Sequence, residues 1–419
     1  MKGFFYKLSI LTTRSLTIGI RFIFNLLILK ALSLEDYGVY SIFYTTVTIS
    51  AIFIGLDYYQ YNIREVVSEK KSLQRRLLGE QFLLHIIIHL IFIPASYFLL
   101  KEIIPTNLIL IFYLILILEH LSLEGYRLLI AFSKPLFANI LQFVRMGLWC
   151  LIILLLTELK IFEFSISLTV IINYWLYFET ISFILILIYF LKNHLITLSL
   201  SKKVFDNIIS GLKISIIFFA STLIFKVIEF SSRYFLDFYT TKENVGIFTF
   251  FSSLSNLVFV TIHTVTIIVI YPKLIRANKL NEEANFKKLS EKLLREILFL
   301  STVLCVLLYF FSPFLLELIG KQELLNNINV LNVLLIGTFF FMLSYYPHHM
   351  MYIRGKEKLL LYSSILSLVI NLTLNFILVP KYGVIGAAIS TSAGFMALFL
   401  IKTYLHIHHK RIKKDINEN

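Results

Sequence analysis

The 419-residue chain is 58% apolar and only 15% charged, and its mean hydropathy is +0.82. Since an ordinary soluble domain carries about 25% charged residues, these values exclude a soluble globular protein. The net charge of +14 at pH 7 would suit a nucleic-acid-binding protein, but the basic residues are placed as a membrane topology requires. We therefore expect no nucleic-acid partner.

Apolar runs of about 20 residues recur along the chain, and each could cross the ~30 Å hydrocarbon layer. They are too long and too uniformly apolar for the alternating strands of a membrane barrel. The sequence therefore predicts an all-α polytopic membrane protein with twelve spans. The predicted helices cover residues 8–30, 37–59, 77–99, 105–128, 136–157, 166–190, 208–231, 244–270, 292–312, 326–350, 359–379 and 384–405.

Basic residues orient these helices. Seven fall on one side of the predicted membrane: Lys30, Lys101, Lys160, Arg233, Lys242, Lys321 and Lys381. Four lie inside helices: Arg14, Arg21, Arg145 and Lys226. The other 28 of the 39 Lys and Arg residues fall on alternate connections and near the termini. Because Lys and Arg concentrate on the cytoplasmic side, both termini are predicted to be cytoplasmic.

A segment that follows the first predicted helix recurs 208 positions later. Residues 33–43 read SLEDYGVYSIF and residues 241–251 read TKENVGIFTFF, so that Gly38 corresponds to Gly246. Both copies lie on the predicted outer side, between the first and second helices of a group of six. Two such groups with the same orientation form a parallel repeat about an axis along the membrane normal.

Polar residues inside the membrane keep the same register. One face of the first helix carries Arg14, Thr17, Arg21 and Asn25, and one face of the seventh carries Thr222, Lys226, Glu229, Arg233 and Asp237. Shifting the sequence by 208 residues aligns the polar face of the first helix with that of the seventh. This agreement favours an internal duplication of the chain. The predicted domains are an N-terminal six-helix lobe (1–190), a cytoplasmic linker (191–207), a C-terminal six-helix lobe (208–405) and a basic cytoplasmic tail (406–419).

Charges in the seventh helix can neutralise one another, because Lys226–Glu229, Glu229–Arg233 and Arg233–Asp237 are three or four residues apart. The first helix offers its arginines no such acid. Arg14 can reach the membrane surface, but Arg21 lies near mid-membrane, where a charge costs at least ~2.5–3.5 kcal/mol. Arg21 must therefore face a hydrated cavity or meet an acid of another helix.

The candidate acids for Arg21 are Glu119 and Glu124 in the fourth predicted helix, Glu179 in the sixth, and Asp57 at the inner end of the second. Arg145 in the fifth helix is a further buried cation. These charges form either a structural network or a site for an anionic ligand or a coupling ion. The residues alone leave both alternatives open.

Other polar groups give weaker signals. His85 and His89 are four residues apart, and they could hold a metal ion or lie at a membrane interface. Asn371 and Asn375 could join helices through hydrogen bonds, and the small residues Gly386, Ser390 and Gly394 favour close helix packing. No nucleotide loop, Ser/His/Asp set or paired-carboxylate motif is present. We therefore expect no enzyme activity, cofactor or metal centre.

The whole chain resembles the Wzx-type polysaccharide flippases of the multidrug/oligosaccharidyl-lipid/polysaccharide (MOP) exporter superfamily, which are MATE-like. The resemblance rests on the outer turn EDYGVY at 35–40, its copy around Gly246, and VPKYGVIGAA at 379–388 before the last helix. One departure is the tripeptide at 32–34, Leu-Ser-Leu, where family members often have a Gly-Pro turn. This difference affects only the expected shape of that turn.

The resemblance implies a flippase of the bacterial plasma (inner) membrane. Its substrates would be undecaprenyl-pyrophosphate-linked oligosaccharide units, moved from the inner to the outer leaflet for O-antigen (lipopolysaccharide), capsule or exopolysaccharide assembly. H⁺ or Na⁺ would be the coupling ion. Membrane lipids, a polysaccharide polymerase and a chain-length regulator would be further partners.

A pyrophosphate head cannot cross hydrocarbon unaided, because burying an unpaired charge is prohibitive, and arginine suits phosphate by its planar head. We expect a cationic cavity between the lobes. Its substrate-binding residues would be Arg14, Arg21, Arg145, Lys226 and Arg233, and its ion-coupling candidates Glu119, Glu179, Asp57 and Glu229.

Two other functions are weighed against this one. A cation-coupled exporter of small molecules or drugs with the same fold would be favoured if acids dominated the cavity. A membrane-embedded glycan polymerase or transferase would need a sizeable outer loop with acidic or His residues, and the predicted connections are too short for one.

Overall fold

The computed structural model describes residues 2–68, 71–159, 165–198 and 200–418. Lys70 and Lys160, two of the residues that orient the chain, lie outside this part, as do the side chains of the basic tail from residue 409 onward. All regular structure in the described residues is helical, which confirms the predicted all-α architecture.

The first eight helices are α1 (Lys2–Ala31), α2 (Leu34–Gly55), α3 (Tyr58–Ser68), α4 (Lys71–Ile103), α5 (Thr106–Ala131), α6 (Pro135–Glu158), α7 (Leu168–Lys192) and α8 (Lys202–Tyr239). They include the first seven predicted spans, and α3 is a short additional helix. Several helices extend beyond their predicted ends because polar and charged residues continue the helix after the apolar run stops. Among these eight helices, α8 extends furthest beyond its predicted ends.

The remaining helices are α9 (Lys242–Lys279), α10 (Glu283–Ile319), α11 (Gln322–Asn326), α12 (Ile328–Ile353) and α13 (Glu357–Glu418). Gly383 breaks α13 with φ 53° and ψ −126°, a conformation that suits glycine. Eleven helices in the described residues are long and apolar enough to cross a membrane. Since the break divides α13 into 357–382 and 384–418, the twelve predicted spans are all present.

The chain divides into two compact units, Met1–Leu223 and Ile224–Asn419, and their boundary falls inside α8. The segment predicted as a linker, 191–207, holds the end of α7, an irregular connection and the first turns of α8. Within the first unit this connection is fixed by a hydrogen bond of 3.1 Å from the Thr197 amide to the Arg75 carbonyl.

Both copies of the repeated turn begin a helix in the same way. The Ser33 hydroxyl accepts a 2.9 Å hydrogen bond from the Asp36 amide at the start of α2. The Thr241 hydroxyl accepts a 3.3 Å hydrogen bond from the Asn244 amide at the start of α9. Such caps satisfy amides that the first helical turn leaves without partners. The two copies of the repeated sequence therefore provide equivalent N-terminal caps, Ser33 for α2 and Thr241 for α9.

The core of the first unit joins α2, α5 and α7. The Phe43 ring is fully buried, and its centroid lies 5.4 Å from that of Phe112 and 5.8 Å from that of Trp175. Edge-to-face contacts of this kind add to the free energy gained from burial. Two of these helices carry acids of the site described below, Glu119 on α5 and Glu179 on α7.

The second unit is joined by buried amides, which confirms the predicted interhelical role of Asn371 and Asn375. Asn371 accepts a 2.8 Å hydrogen bond from the Ser231 hydroxyl and donates one of 3.1 Å to the Ser390 carbonyl. Asn375 accepts a 2.8 Å hydrogen bond from Ser232. Gly394 lies against Asn371, so the small residues of α13 do permit close packing there.

Candidate functional site

Among the described cations of the first unit, Arg145 is the most enclosed, with 3% of its side chain exposed. It lies in a single π-helical turn, Val144–Leu148, that interrupts α6. Turns of this wide type often occur at functional sites. The indole nitrogen of Trp149 donates a 3.0 Å hydrogen bond to the Arg145 carbonyl and so holds this turn.

Two carboxylates from other helices meet Arg145. Its Nη1 atom lies 2.6 Å from Oε1 of Glu119 on α5 and 3.8 Å from Oε1 of Glu179 on α7. The Glu179 side chain is fully buried, and 18% of the Glu119 side chain is exposed. A buried charge is tolerated only with a partner, and Arg145 is the cationic partner of both acids.

Arg21 lies near the middle of the span Ser9–Ala31 and is half-buried. No ion pair joins it to a carboxylate within the described part of the chain. Its guanidinium carbon lies 5.6 Å from the centroid of the Tyr44 ring. That ring lies 5.8 Å from Trp175, so aromatic groups occupy the place in which a carboxylate was expected.

The other acids considered for Arg21 are engaged elsewhere in the first unit. Glu124 accepts a 2.5 Å hydrogen bond from Arg127 and one of 2.6 Å from Gln81. The buried Asp57 accepts a 2.5 Å hydrogen bond from the Thr222 hydroxyl. Among the described residues, the four candidate acids therefore have polar partners other than Arg21. Arg14, two turns before Arg21, is exposed.

In the second unit the charges of α8 follow the predicted pairing only in part. Lys226 and Glu229 form an ion pair of 2.7 Å. Asp237 pairs at 2.5 Å with Lys242, at the start of α9. Arg233 is buried, donates a 3.2 Å hydrogen bond to the Ser252 hydroxyl, and lies 4.7 Å from the centroid of the Phe230 ring. The neighbouring helix α9 thus supplies partners that spacing along α8 alone could not indicate.

Sequence reasoning missed a group of charges around α4. Glu80 is buried, with Arg76 Nε 3.3 Å from its Oε1 atom and with a 3.0 Å hydrogen bond from Asn207. The pairs Arg76–Glu80 and Glu124–Arg127 are four and three residues apart. The spacing rule for helical ion pairs would have identified both of them.

In chemical terms, the first unit holds Arg145, which forms ion pairs with two acids, and Arg21, which forms none among the described residues. If all four groups are ionised, Arg21, Arg145, Glu119 and Glu179 sum to zero formal charge. The guanidinium of Arg21 retains its donors for an anion that it could bind in bidentate fashion.

No protein-family model matches the sequence. A protein of Shigella flexneri described as "Putative O-antigen transporter" is 34% identical over 134 residues, which are 31% of this chain and 32% of that protein. The match therefore spans about a third of the length of this curated relative.

Solved structures resemble the chain over nearly its whole length. An inward-facing MATE transporter of the MOP superfamily has a TM-score of 0.73 at 15% identity, covering 97% of this chain and 99% of that one. The lipid II flippase MurJ in an inward closed conformation has a TM-score of 0.75 at 15% identity, covering 96% and 87%. These relatives are transporters and a flippase rather than enzymes. The chain is a polytopic α-helical membrane protein with the fold that this MATE transporter and MurJ have.

Proposed function

We propose that the protein is a flippase that moves undecaprenyl-pyrophosphate-linked oligosaccharides from the inner to the outer leaflet of the bacterial plasma membrane. The product would serve O-antigen or related surface polysaccharide assembly. The partial match to the Shigella flexneri protein and the fold shared with a lipid II flippase support this function. The proposal concerns the class of lipid-linked substrate and specifies no particular sugar.

The observation that carries the proposal is the state of Arg21. A guanidinium near the middle of a span is costly unless it has a partner, and Arg21 forms no ion pair among the described carboxylates. A pyrophosphate would supply two adjacent phosphates for its planar donors. The substrate would thus provide the counter-charge that the protein does not.

The other expected contacts take different roles in this proposal. Arg145 positions Glu119 and Glu179. Arg14, which is exposed two helical turns before Arg21, assists the approach of the anionic head group. Lys226 and Arg233 in the second unit are secondary contacts, because Glu229 and Ser252 already engage them. The strongest effect on substrate binding is therefore assigned to Arg21.

A cation-coupled drug exporter is the alternative, and a net acidic site would favour it. If all four groups around Arg145 and Arg21 are ionised, their formal charges sum to zero, so they do not form a net acidic site. Arg21, which forms no ion pair among the described residues, supports an anionic substrate over a cationic one.

The topology is part of the proposal. Both termini would be cytoplasmic, and the two lobes would be related by a parallel repeat. H⁺ or Na⁺ would drive the cycle, with Glu119, Glu179, Asp57 and Glu229 as carboxylate candidates for coupling. A polysaccharide polymerase and a chain-length regulator would use the flipped substrate.

The test is complementation of a strain that lacks its own flippase, in a host that makes a matching lipid-linked glycan. We expect the wild-type protein to restore surface polysaccharide and to give no resistance to cationic dyes. Dye resistance without restored polysaccharide, in a strain with normal membrane abundance of the protein, would support the exporter instead.

A further inference from the structure

Lys402 is a buried lysine of the second unit, in the part of α13 that follows the break at Gly383. Only 6% of it is exposed, although lysine is almost never fully buried without a partner. No hydrogen bond or ion pair joins Lys402 to another residue that the structure describes. Since a buried charge is tolerated only with a counter-charge, a charged Lys402 requires an anion that this part of the chain does not supply.

The carboxylates of the second unit lie elsewhere. α12, which packs along α13, contains no Asp, Glu, Lys or Arg. Three carboxylates of the unit form ion pairs with lysines: Glu229 with Lys226, Asp237 with Lys242, and Glu296 with Lys292. The others among the described side chains are exposed: Glu243, Glu282, Glu283, Glu291, Glu317, Glu323 and Glu357. Within the described residues, the unit thus offers Lys402 no buried carboxylate.

Two histidines of α12 lie near Lys402. The lysine is within electrostatic range of both His348 and His349. The two imidazole rings lie 5.4 Å apart between centroids, and the Tyr271 ring of α9 lies 4.6 Å from that of His349. Nδ1 of His348 and both ring nitrogens of His349 have no hydrogen-bond partner among the described residues. One ammonium group and two imidazoles therefore form a single polar cluster.

The cluster can be reached from outside the protein. His348 and Tyr271 are partly exposed, whereas Lys402 and His349 are buried. α12 ends soon after His348, at Ile353, and basic residues follow in the connection and in the first turn of α13: Arg354, Lys356 and Lys358. In the proposed topology this end of the unit is cytoplasmic. The cluster thus lies near the side from which a lipid-linked substrate of the inner leaflet would enter.

The donors of this cluster suit a phosphate group. An ammonium group has three N–H donors and a compact charge, as in other lysines that bind phosphate. Each neutral imidazole adds one N–H donor. A phosphate offers several acceptor oxygens at once, so it could neutralise Lys402 and accept a hydrogen bond from each histidine. A single bound anion would account both for the unpaired lysine and for the ring nitrogens without partners.

We propose that Lys402, His348 and His349 bind one phosphate group at the inner end of the second unit. The phosphate could belong to the pyrophosphate head of a lipid-linked substrate or to a free anion such as pyrophosphate. The first source rests on the proposed function, whereas phosphate binding itself does not. The site is additional to Arg21, which belongs to the first unit.

Phosphate binding can be measured without transport. The protein is purified in nanodiscs of phosphatidylcholine and titrated with inorganic pyrophosphate or farnesyl pyrophosphate by calorimetry, in an Arg21→Ala background that removes the contact proposed in the first unit. We expect Lys402→Met to weaken binding by at least about tenfold, because a charge-assisted hydrogen bond is lost. Lys402→Arg should retain most of the binding. Lys381→Met, at an exposed position of the same helix, is the matched control.

The two probes separate the sources of the phosphate. Tighter binding of farnesyl pyrophosphate supports the head group of a lipid-linked substrate, and equal binding of both probes supports a free anion. A folded Lys402→Met protein that binds both probes as tightly as the background does would overturn the proposal, as would a background protein that binds neither. Membrane abundance checks folding, and Lys402→Met should preserve it because the change leaves no acid unpaired.

NMR of the ¹⁵N-labelled histidines gives a readout at the site itself. The signals of the two rings are assigned through His348→Gln and His349→Gln. We expect pyrophosphate to shift both signals in the background protein and neither signal in its Lys402→Met variant. A lysine with a purely structural role would not produce this dependence. Equal shifts with and without Lys402 would contradict the proposed site.

Transport tests the link to the proposed function. In vesicles that contain a fluorescent lipid-linked glycan, Lys402→Met should translocate the substrate more slowly than the wild type, and Lys381→Met at the wild-type rate. A wild-type rate for Lys402→Met, together with weakened pyrophosphate binding, would exclude the lipid head group and leave the free anion as the ligand. If the wild-type protein does not move this substrate, the flippase assignment fails, while calorimetry still decides phosphate binding.

Discussion

Arg145 on α6 and Glu119 on α5 form an ion pair with 2.6 Å between Nη1 and Oε1. The sequence analysis named Glu119 as a candidate partner of Arg21, whereas in the structure Glu119 pairs with Arg145. Glu179 lies on the other side of the same guanidinium nitrogen at 3.8 Å. Both acids are thus paired with Arg145, and Arg21 has no ion pair among the described residues.

Replacing Arg145 with Ala should therefore reduce stability more than any other charge substitution in the first unit. The change leaves Glu179 fully buried without its cation, and breaking a buried pair costs about 3–5 kcal/mol. We expect a lower midpoint of thermal unfolding and low membrane abundance, measured by size-exclusion chromatography of a fluorescent fusion. The exposed Arg295→Ala is the matched control and should change stability by less than about 0.5 kcal/mol.

A triple variant tests the reason for this loss. Arg145→Met combined with Glu119→Gln and Glu179→Gln removes all three charges and retains most of the side-chain volume. Since neutral replacements of a buried ion pair are often tolerated, abundance should recover relative to Arg145→Ala. A triple variant that is less abundant than Arg145→Ala would contradict the assigned pairing.

The caps at Ser33 and Thr241 should contribute similarly to stability. Each hydroxyl accepts a hydrogen bond from the amide three residues later, and removing such a cap costs about 0.5–2 kcal/mol. Ser33→Ala and Thr241→Ala should each lower the unfolding midpoint, while Ser33→Asn and Thr241→Asn should preserve it. If only one Ala variant is destabilised, the two caps are not equivalent.

Gly337 on α12 should tolerate no side chain. A Cβ atom there would lie 2.6 Å from the Cα atom of Ser392 on α13, so the backbones would have to separate. Gly337→Ala should therefore destabilise the protein by about 1–3 kcal/mol. Gly19→Ala on α1 is the control, because nothing lies within 4 Å of the added atom. It should be neutral or stabilising, and equal losses in both variants would argue against close α12–α13 packing.

The sequence predicted the spans well because their apolar character is a local property. It did not predict the non-helical backbone conformation of Gly383. The break still falls between the predicted end of the eleventh helix at 379 and the predicted start of the twelfth at 384. Helix ends were less accurate, as in α8, since polar residues extend a helix without any hydrophobic signal. The short helix α3 was missed because it is too polar to be recognised as a span.

The sequence identified the charged residues of the candidate site, but it did not identify which of them form ion pairs with one another. Arg21, Arg145, Glu119 and Glu179 are visible as charges in apolar runs. Which arginine meets which acid depends on the rotation of α1, α5, α6 and α7, and a single sequence does not give it. The contacts of His120 with His85 and His89, at 4.5 Å and 5.1 Å between ring centroids, were missed for the same reason, because His120 lies on another helix.

The role of Arg21 in substrate binding is tested most directly by complementation of a flippase-null strain with Arg21→Ala and Arg21→Lys, with membrane protein quantified alongside. Because Arg21 forms no ion pair among the described residues, its loss leaves no acid unpaired, and both variants should reach normal abundance. Arg21→Ala should lose surface glycan, and Arg21→Lys should restore only part of it, since lysine lacks the planar fork. Normal surface glycan from a normally abundant Arg21→Ala protein would contradict the account.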